Sequence, residues 1–262
     1  MTTYARIFFV GGLISFRALF SFLRPSIYVP SMLVAPIFQI LLFVYIGRSA
    51  GLASDEFYVI GNAIQYAAVP CLFAMSFTIA GERNQRTLGY LLVSPAPRLP
   101  LFLGRALPVV VNGFFVAAFA LVVGGLIVGI DVPRSAYAPI ALATALSAFG
   151  CTGFGLLGAG LGLLMREQAV LSNILFGILL VFCGANVPVD QLPGWMQAVS
   201  EALPFTHGIE AARRLADGET FGGVSRLLTA EALIGLAYTV AGYLFIRATE
   251  TVSRRRATLE RA

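Results

Sequence analysis

The sequence predicts an all-α integral membrane protein with six transmembrane helices, and three observations carry the prediction. The chain's 262 residues are 58% hydrophobic and 12% charged, about half the charge density of an ordinary soluble domain. Its mean hydropathy is +0.85. Six stretches come close to the roughly 20 apolar residues that a helix needs to cross a bilayer.

In order, the expected spans cover 27–47, 57–80, 106–130, 137–164, 170–187 and 227–246. With both termini on one side, that side collects the N-terminal segment, the loop after the second span, the "MREQA" loop and the tail. These hold 13 of the 18 arginines and 4 of the 13 acids, leaving five arginines and nine acids opposite. Positive charge marks the cytoplasmic side, so both termini are expected in the cytoplasm. The resulting organisation is an N-terminal interfacial helix over 1–26, a membrane domain over 27–247 and a basic cytoplasmic tail over 248–262.

The opening segment does not read as a cleaved signal peptide, because Arg17 interrupts its apolar run and no small-x-small site follows. Arg6, Arg17 and Arg24 are 11 and 7 residues apart, which puts them within roughly 20° of each other on a helix. A helix lying on the membrane surface with its arginines toward headgroups fits this spacing, as does an ordinary juxtamembrane extension.

Within the fourth span, Ser147, Cys151, Gly155 and Ala159 repeat every four residues, and Gly158 with Gly162 adds a GxxxG pair. Small residues let helix backbones approach closely in lipid. The stripe predicts tight packing against another span of the same chain.

Between the fifth and sixth spans, Pro188, Pro193 and Pro204 rule out a continuous membrane helix. Yet "GWMQAVSEAL" and "FTHGIEAARRL" each carry helical spacing, predicting two short amphipathic helices that dip into the outer leaflet. Trp195, the sole tryptophan, suits that interface. Asp190, Glu201, Glu210 and Arg213 are candidates for ion pairs within these helices, and Pro188, Pro193, Pro204, Glu210 and Arg213 are the candidate gate on the outer side.

Polar groups within the spans are few. Gln39, Gln65, Asn112, Asn173 and Asn186 either line a pathway or hydrogen-bond a neighbouring helix. Glu231 stands near the outer end of the sixth span, and no span carries a central acid. That weakens a proton-coupled carrier, which keeps an ionisable group at membrane depth. Cys71, Cys151 and Cys183 are an odd, scattered set without a CxxC, which reads as buried core rather than disulfides or metal ligands. Lone His207 lacks a metal-binding partner at helical spacing.

All 18 basic residues are arginine. Without lysine the chain can house neither a Walker A phosphate loop nor Schiff-base chemistry. Any ATP that drives it is bound by another polypeptide.

Residues 82–105 are basic and half apolar. Glu82, Arg83, Arg86, Thr87, Leu88, Tyr90, Leu91, Leu92 and Pro95 follow the second span, and the later proline set includes P-x4-P over 188–193 and Leu203–Pro204, followed by Glu210 and Arg213. With six spans, this constellation resembles the membrane subunits of ABC exporters of the type-2 permease family, along nearly the whole chain. Two positions depart from the family pattern: its usual glycine before the threonine is Arg86 here, and its usual glutamate is Gly89.

The resemblance implies a permease subunit moving a lipophilic drug, lipid or glycan out of the cytoplasm or inner leaflet of a bacterial cell membrane. It implies a coupling helix between spans two and three that docks in a separate ATPase subunit, present in two copies. The chain itself would bind no cofactor, with ATP and Mg held by that partner. A second copy of this or a homologous permease completes the pathway, membrane lipid surrounds it, and no nucleic acid is involved. The residues agree with docking. Leu88, Leu91 and Leu92 form one apolar ridge and Arg83 and Arg86 supply charge, although the same leucines would also suit a membrane surface. The alternative is an ATP-independent carrier or membrane scaffold.

Overall fold

The computed structural model describes residues 10, 14, 24–51, 53–77, 98–162 and 168–256, and among these every regular element is helical. In chain order they form α1 over Pro25–Ala50 and α2 over Asp55–Phe77, then α3 over Arg98–Val128, α4 over Tyr137–Gly162 and α5 over Gln168–Phe182. Then come α6 over Gly194–Ala202, α7 over Thr206–Ala216 and α8 over Phe221–Arg256. The N-terminal segment lies almost wholly outside the described residues, as do residues 82–95.

Among the described residues, five helices are long and apolar enough to cross a membrane: α1, α2, Leu103–Val128 of α3, Arg134–Gly162 around α4, and Phe221–Thr249 of α8. The expected fifth span differs. Helix α5 has 15 residues and ends at Phe182, a reach of about 22 Å, short of the expected end at Val187. Gly184 turns the chain at φ +76°, a conformation that suits glycine. The carbonyls of Gly184 and Ala185 accept from Arg213 instead of continuing the helix.

Helices α2 and α4 form the centre. Of their apolar windows 78% and 67% are buried, against 22–33% for α1, α3 and α8, whose outer faces are left for lipid or a partner. The α1–α2 connection is short. Gly51 closes α1 at φ +64° with its N–H on the Gly47 carbonyl, and Ser54 caps α2 by accepting from Phe57 N–H at 3.2 Å. Asp55 and Glu56 occupy the first turn, where the helix dipole favours acids. Arg48 and Asp55 pair across the connection, where solvent screens them and the pair adds little.

Prolines shape the first two spans. Pro30 sits in a wide turn over Val29–Val34, where Ala35 N–H reaches back to the Pro30 carbonyl. That bond skips the Ser31 carbonyl, which accepts from Tyr66 Oη–H of α2 at 3.1 Å. Pro70 marks a second wide turn at Val69–Phe73. A proline removes a helix donor and crowds the preceding turn, and in the first wide turn the Ser31 carbonyl that Ala35 skips links one span to the next.

The small-residue stripe of α4 packs as expected against other helices of the same chain, α2 and α5. A Cβ at Gly155 would lie 3.0 Å from the Leu72 carbonyl and Met75, and one at Gly158 would lie 2.8 Å from Leu175. On the other face, Gly153 meets Gly235 and Thr239 of α8, and Gly160 meets Phe245. The cysteines are buried and free.

Candidate functional site

Helices α6 and α7 appear where the spacing predicts them, each started by a turn that proline favours. Pro193 is the N-cap of α6, and Pro204 precedes Phe205, the N-cap of α7. Helix α7 enters the end of the bundle rather than covering it. Its Gly208 lies against Ser147 of α4, and its start is bonded to Glu231 of α8. Both partners lie ten residues into their helices, about 15 Å from the helix starts. The buried face of α7 carries Ile209, Ala212 and Leu215.

Two inward-facing charged groups hold this helix, Glu231 buried and Arg213 half-buried, and neither is neutralised by the other. Glu231 is fully buried. One carboxylate oxygen accepts from Phe205 N–H at 2.7 Å and the other from Gly208 N–H at 3.1 Å. These are unpaired donors of a helix N-terminus, where the macrodipole stabilises an anion.

Arg213 is the mirror case. Its Nη1 donates to the Gly184 carbonyl at 2.9 Å, and its Nη2 donates to Phe57 O at 3.0 Å and Ala185 O at 3.1 Å. Its guanidinium carbon lies 3.4 Å from the centre of the Phe57 ring, a desolvated cation–π contact. The acceptors just beyond α5 belong to the electronegative end of that helix. Burial pulls this guanidinium down to about 10, with Glu210 acting the other way; it stays charged at neutral pH. Gly61 makes room, since a Cβ there would lie 2.6 Å from the Ala185 carbonyl. Arg213 thus ties α7 to α2 and to the turn after α5.

Beside it runs an amide network. Gln39 Nε2 donates to Asn62 Oδ1 at 3.0 Å and to Gln65 Oε1 at 2.9 Å. Asn62 Nδ2 donates to the Tyr58 carbonyl and to Asn186 Oδ1, both at 3.0 Å, and Asn186 Nδ2 donates to the Leu180 carbonyl at 3.3 Å. The network links α1, α2 and the turn after α5. Nearer the other end of α1, Tyr28 Oη–H donates to Asn112 Oδ1 at 2.6 Å.

Three of the pathway candidates, Gln39, Gln65 and Asn186, therefore meet in one place. Asn173 stands apart, exposed and bonded to the Ala169 carbonyl of its own helix. Of the gate candidates, Pro188 opens the short turn over Val189–Gln191, and Pro204 packs beside Gly150. Glu210 pairs with Arg214 at 2.8 Å on the exposed face, while Arg213 takes backbone carbonyls. His207 Nε2 contacts the Glu201 carbonyl at 3.0 Å. The docking residues Glu82, Arg83, Arg86, Thr87, Leu88, Tyr90, Leu91, Leu92 and Pro95 lie outside the described residues.

From sequence alone Asn62 is not singled out, and Glu231 stands near the outer end of the sixth span without a role. Asn62 is three residues before Gln65, one helical face, and that spacing was the available signal. Glu231 carried a stronger one, an acid inside an apolar run, but nothing in the sequence points to its N–H partners.

Residues 12–215 match the profile of the ABC-2 type transporter family. Two relatives, each named a probable multidrug ABC transporter permease YbhR, come from Escherichia coli K12 and Escherichia coli O157:H7. Both are 29% identical over 168 residues. The match covers 58% of this chain and 44% of each relative, so the aligned stretch spans less than half of the relatives' length.

Proposed function

This chain belongs to the ABC-2 type transporter family, and from that premise we propose that it is the membrane-spanning permease subunit of an ATP-driven exporter. The family match across most of the helical bundle carries the reading; the multidrug naming of the relatives favours a lipophilic cargo such as a drug, lipid or glycan. Two ATPase partners bind ATP and Mg, close, and push on residues 82–95 of two permease copies in a bacterial cell membrane. The copies then rock, and cargo leaves at the end of the bundle where α6 and α7 sit. A nucleotide shifts such an equilibrium only through its different affinity for the two states, and that difference resides at the ATPase interface. Arg213, Glu210 and the prolines at 188, 193 and 204 belong to the exit gate.

The test is Leu91→Asp, assayed for ATPase co-purification and for ATP-dependent uptake of a lipophilic dye by inverted vesicles. We expect both to fall at least about tenfold, the effect of placing a charge in an apolar docking groove, while membrane insertion is unchanged. Normal ATPase retention and dye uptake would refute docking through this segment. Uphill transport by the purified chain alone, on an ion gradient, would overturn the export reading.

A further inference from the structure

We propose that Glu231 is the positioning residue for α7, holding the helix seated in the bundle with its entry turn in a strained conformation. Phe205, the residue before the helix, adopts φ +80°. Bulky side chains avoid this region, and such a conformation persists only where its surroundings enforce it. Phe205 is also fully buried, so its ring anchors the turn while its N–H points to the Glu231 carboxylate. The second oxygen takes Gly208 N–H, three residues on. One carboxylate thereby fixes both sides of the strained residue.

The slot that receives this turn is built for it. A Cβ on Gly208 would collide with the Ser147 hydroxyl, and one on Gly150 would lie 3.2 Å from Pro204 and 3.4 Å from a Glu231 oxygen. Helix α7 is therefore wedged between α4 and α8 at one end and tied by Arg213 to α2 at the other. Removing the carboxylate leaves two buried N–H groups unpaired and nothing to hold Phe205 at positive φ. The helix then leaves its seat while the α2–α4 centre stays packed. The export reading enters only in saying what the seat is for: cargo leaving at this end has to pass or move α7.

The three native cysteines report on this directly. Cys183 lies one residue before Gly184, whose carbonyl accepts from Arg213, whereas Cys71 and Cys151 sit between the central helices; all three are buried. Membrane fragments open on both sides are treated with a bulky polar maleimide, and labelling is followed at each cysteine by mass spectrometry. Glu231→Gln keeps the side-chain shape but replaces one acceptor with a donor. It is expected to speed Cys183 labelling about tenfold or more, with Cys71 and Cys151 still protected. Glu231→Asp keeps the charge and is expected to recover at least about half of the lost protection on the same grounds.

Wild-type labelling in Glu231→Gln would mean that shape alone seats the helix and would overturn the proposal. Equal exposure of all three cysteines, or an Asp variant as open as Gln, would overturn it as well. No transport enters the measurement, so its failure leaves the export reading intact, and failure of the export assay leaves this result standing.

Discussion

Where α4 meets α8 the backbones approach until glycine faces glycine, and where α1 meets α2 side-chain amides span the gap. A Cβ on Gly235 would lie 2.9 Å from the Gly150 Cα, and one on Gly242 would lie 2.7 Å from the Leu157 nitrogen. The other contact relies on Gln39, Asn62 and Gln65, together with the Tyr66 hydroxyl on the Ser31 carbonyl. In lipid, apolar side chains gain little by leaving the solvent, so helices associate through close packing and hydrogen bonds. Here backbone approach dominates the first contact, while the second adds amides to an apolar contact in which Gly47 lies against Tyr58. A backbone-to-backbone seam has no slack, whereas amides can exchange partners as helices shift. The two contacts thus set a fixed pair, α4 and α8, against a more adjustable one, in which α1 is the less buried partner.

The largest effect that would break this comparison is expected at the glycine seam. Gly242→Val places its branch against the backbone of Leu156 and Leu157, atoms that move only if the whole helix moves. We expect a loss of about 3 kcal/mol, the upper part of the overpacking range. Gly177→Val, where nothing lies within 4 Å of a new Cβ, is expected to stay close to wild type. Thermal unfolding in detergent, followed with a thiol-reactive dye as the buried cysteines open, compares the two. Equal midpoints would mean that the seam yields.

The amide contact should respond less. Asn62 is fully buried and central, so Asn62→Ala strips Gln39 of one acceptor and Asn186 of its donor. Interhelical hydrogen bonds in membranes are worth about 0.6 kcal/mol on average, and the variant is expected to lose about 1–2 kcal/mol on that scale. A double-mutant cycle with Gln39→Ala should return a coupling of about 0.6 kcal/mol. A loss as large as that of Gly242→Val would erase the distinction between fixed and adjustable contacts.

How much of this was legible in advance follows from the range of each interaction. Spans such as Pro25–Ala50 and Arg134–Gly162, and the helices starting at Gly194 and Thr206, are local patterns of apolar spacing and proline, which a sequence displays. The α4 stripe announced close packing but not its partners, Leu72, Met75 and Leu175, and on the opposite face nothing local ties Gly150 to Gly235. Arg213 was legible as a charge needing compensation, and carboxylates were the natural guess. Its acceptors proved to be carbonyls of Phe57, Gly184 and Ala185. Every residue has a carbonyl, so such acceptors leave no signature. The early end of α5 was hidden for the same reason, because a distant arginine takes its carbonyls.

The smallest expected effect lies outside both contacts. Asn173 shares the chemistry of the amides between α1 and α2 but bonds the Ala169 carbonyl one turn back, at 2.8 Å, on an exposed face beside Val170 and Ile174. Such a bond stays within its own helix and joins nothing. Alanine is also the better helix former by about 0.6 kcal/mol, so Asn173→Ala should leave the unfolding midpoint unchanged or slightly raised. In the export reading this side chain is a pathway candidate, and it is the one whose loss disturbs no helix contact. ATP-dependent dye uptake by the Ala variant is therefore expected to fall at constant stability, separating cargo contact from bundle cohesion in a way that Gln39, Gln65 and Asn186 cannot. Unchanged uptake would put Asn173 on the lipid face and confine any pathway to the side of the bundle where the bonded amides lie.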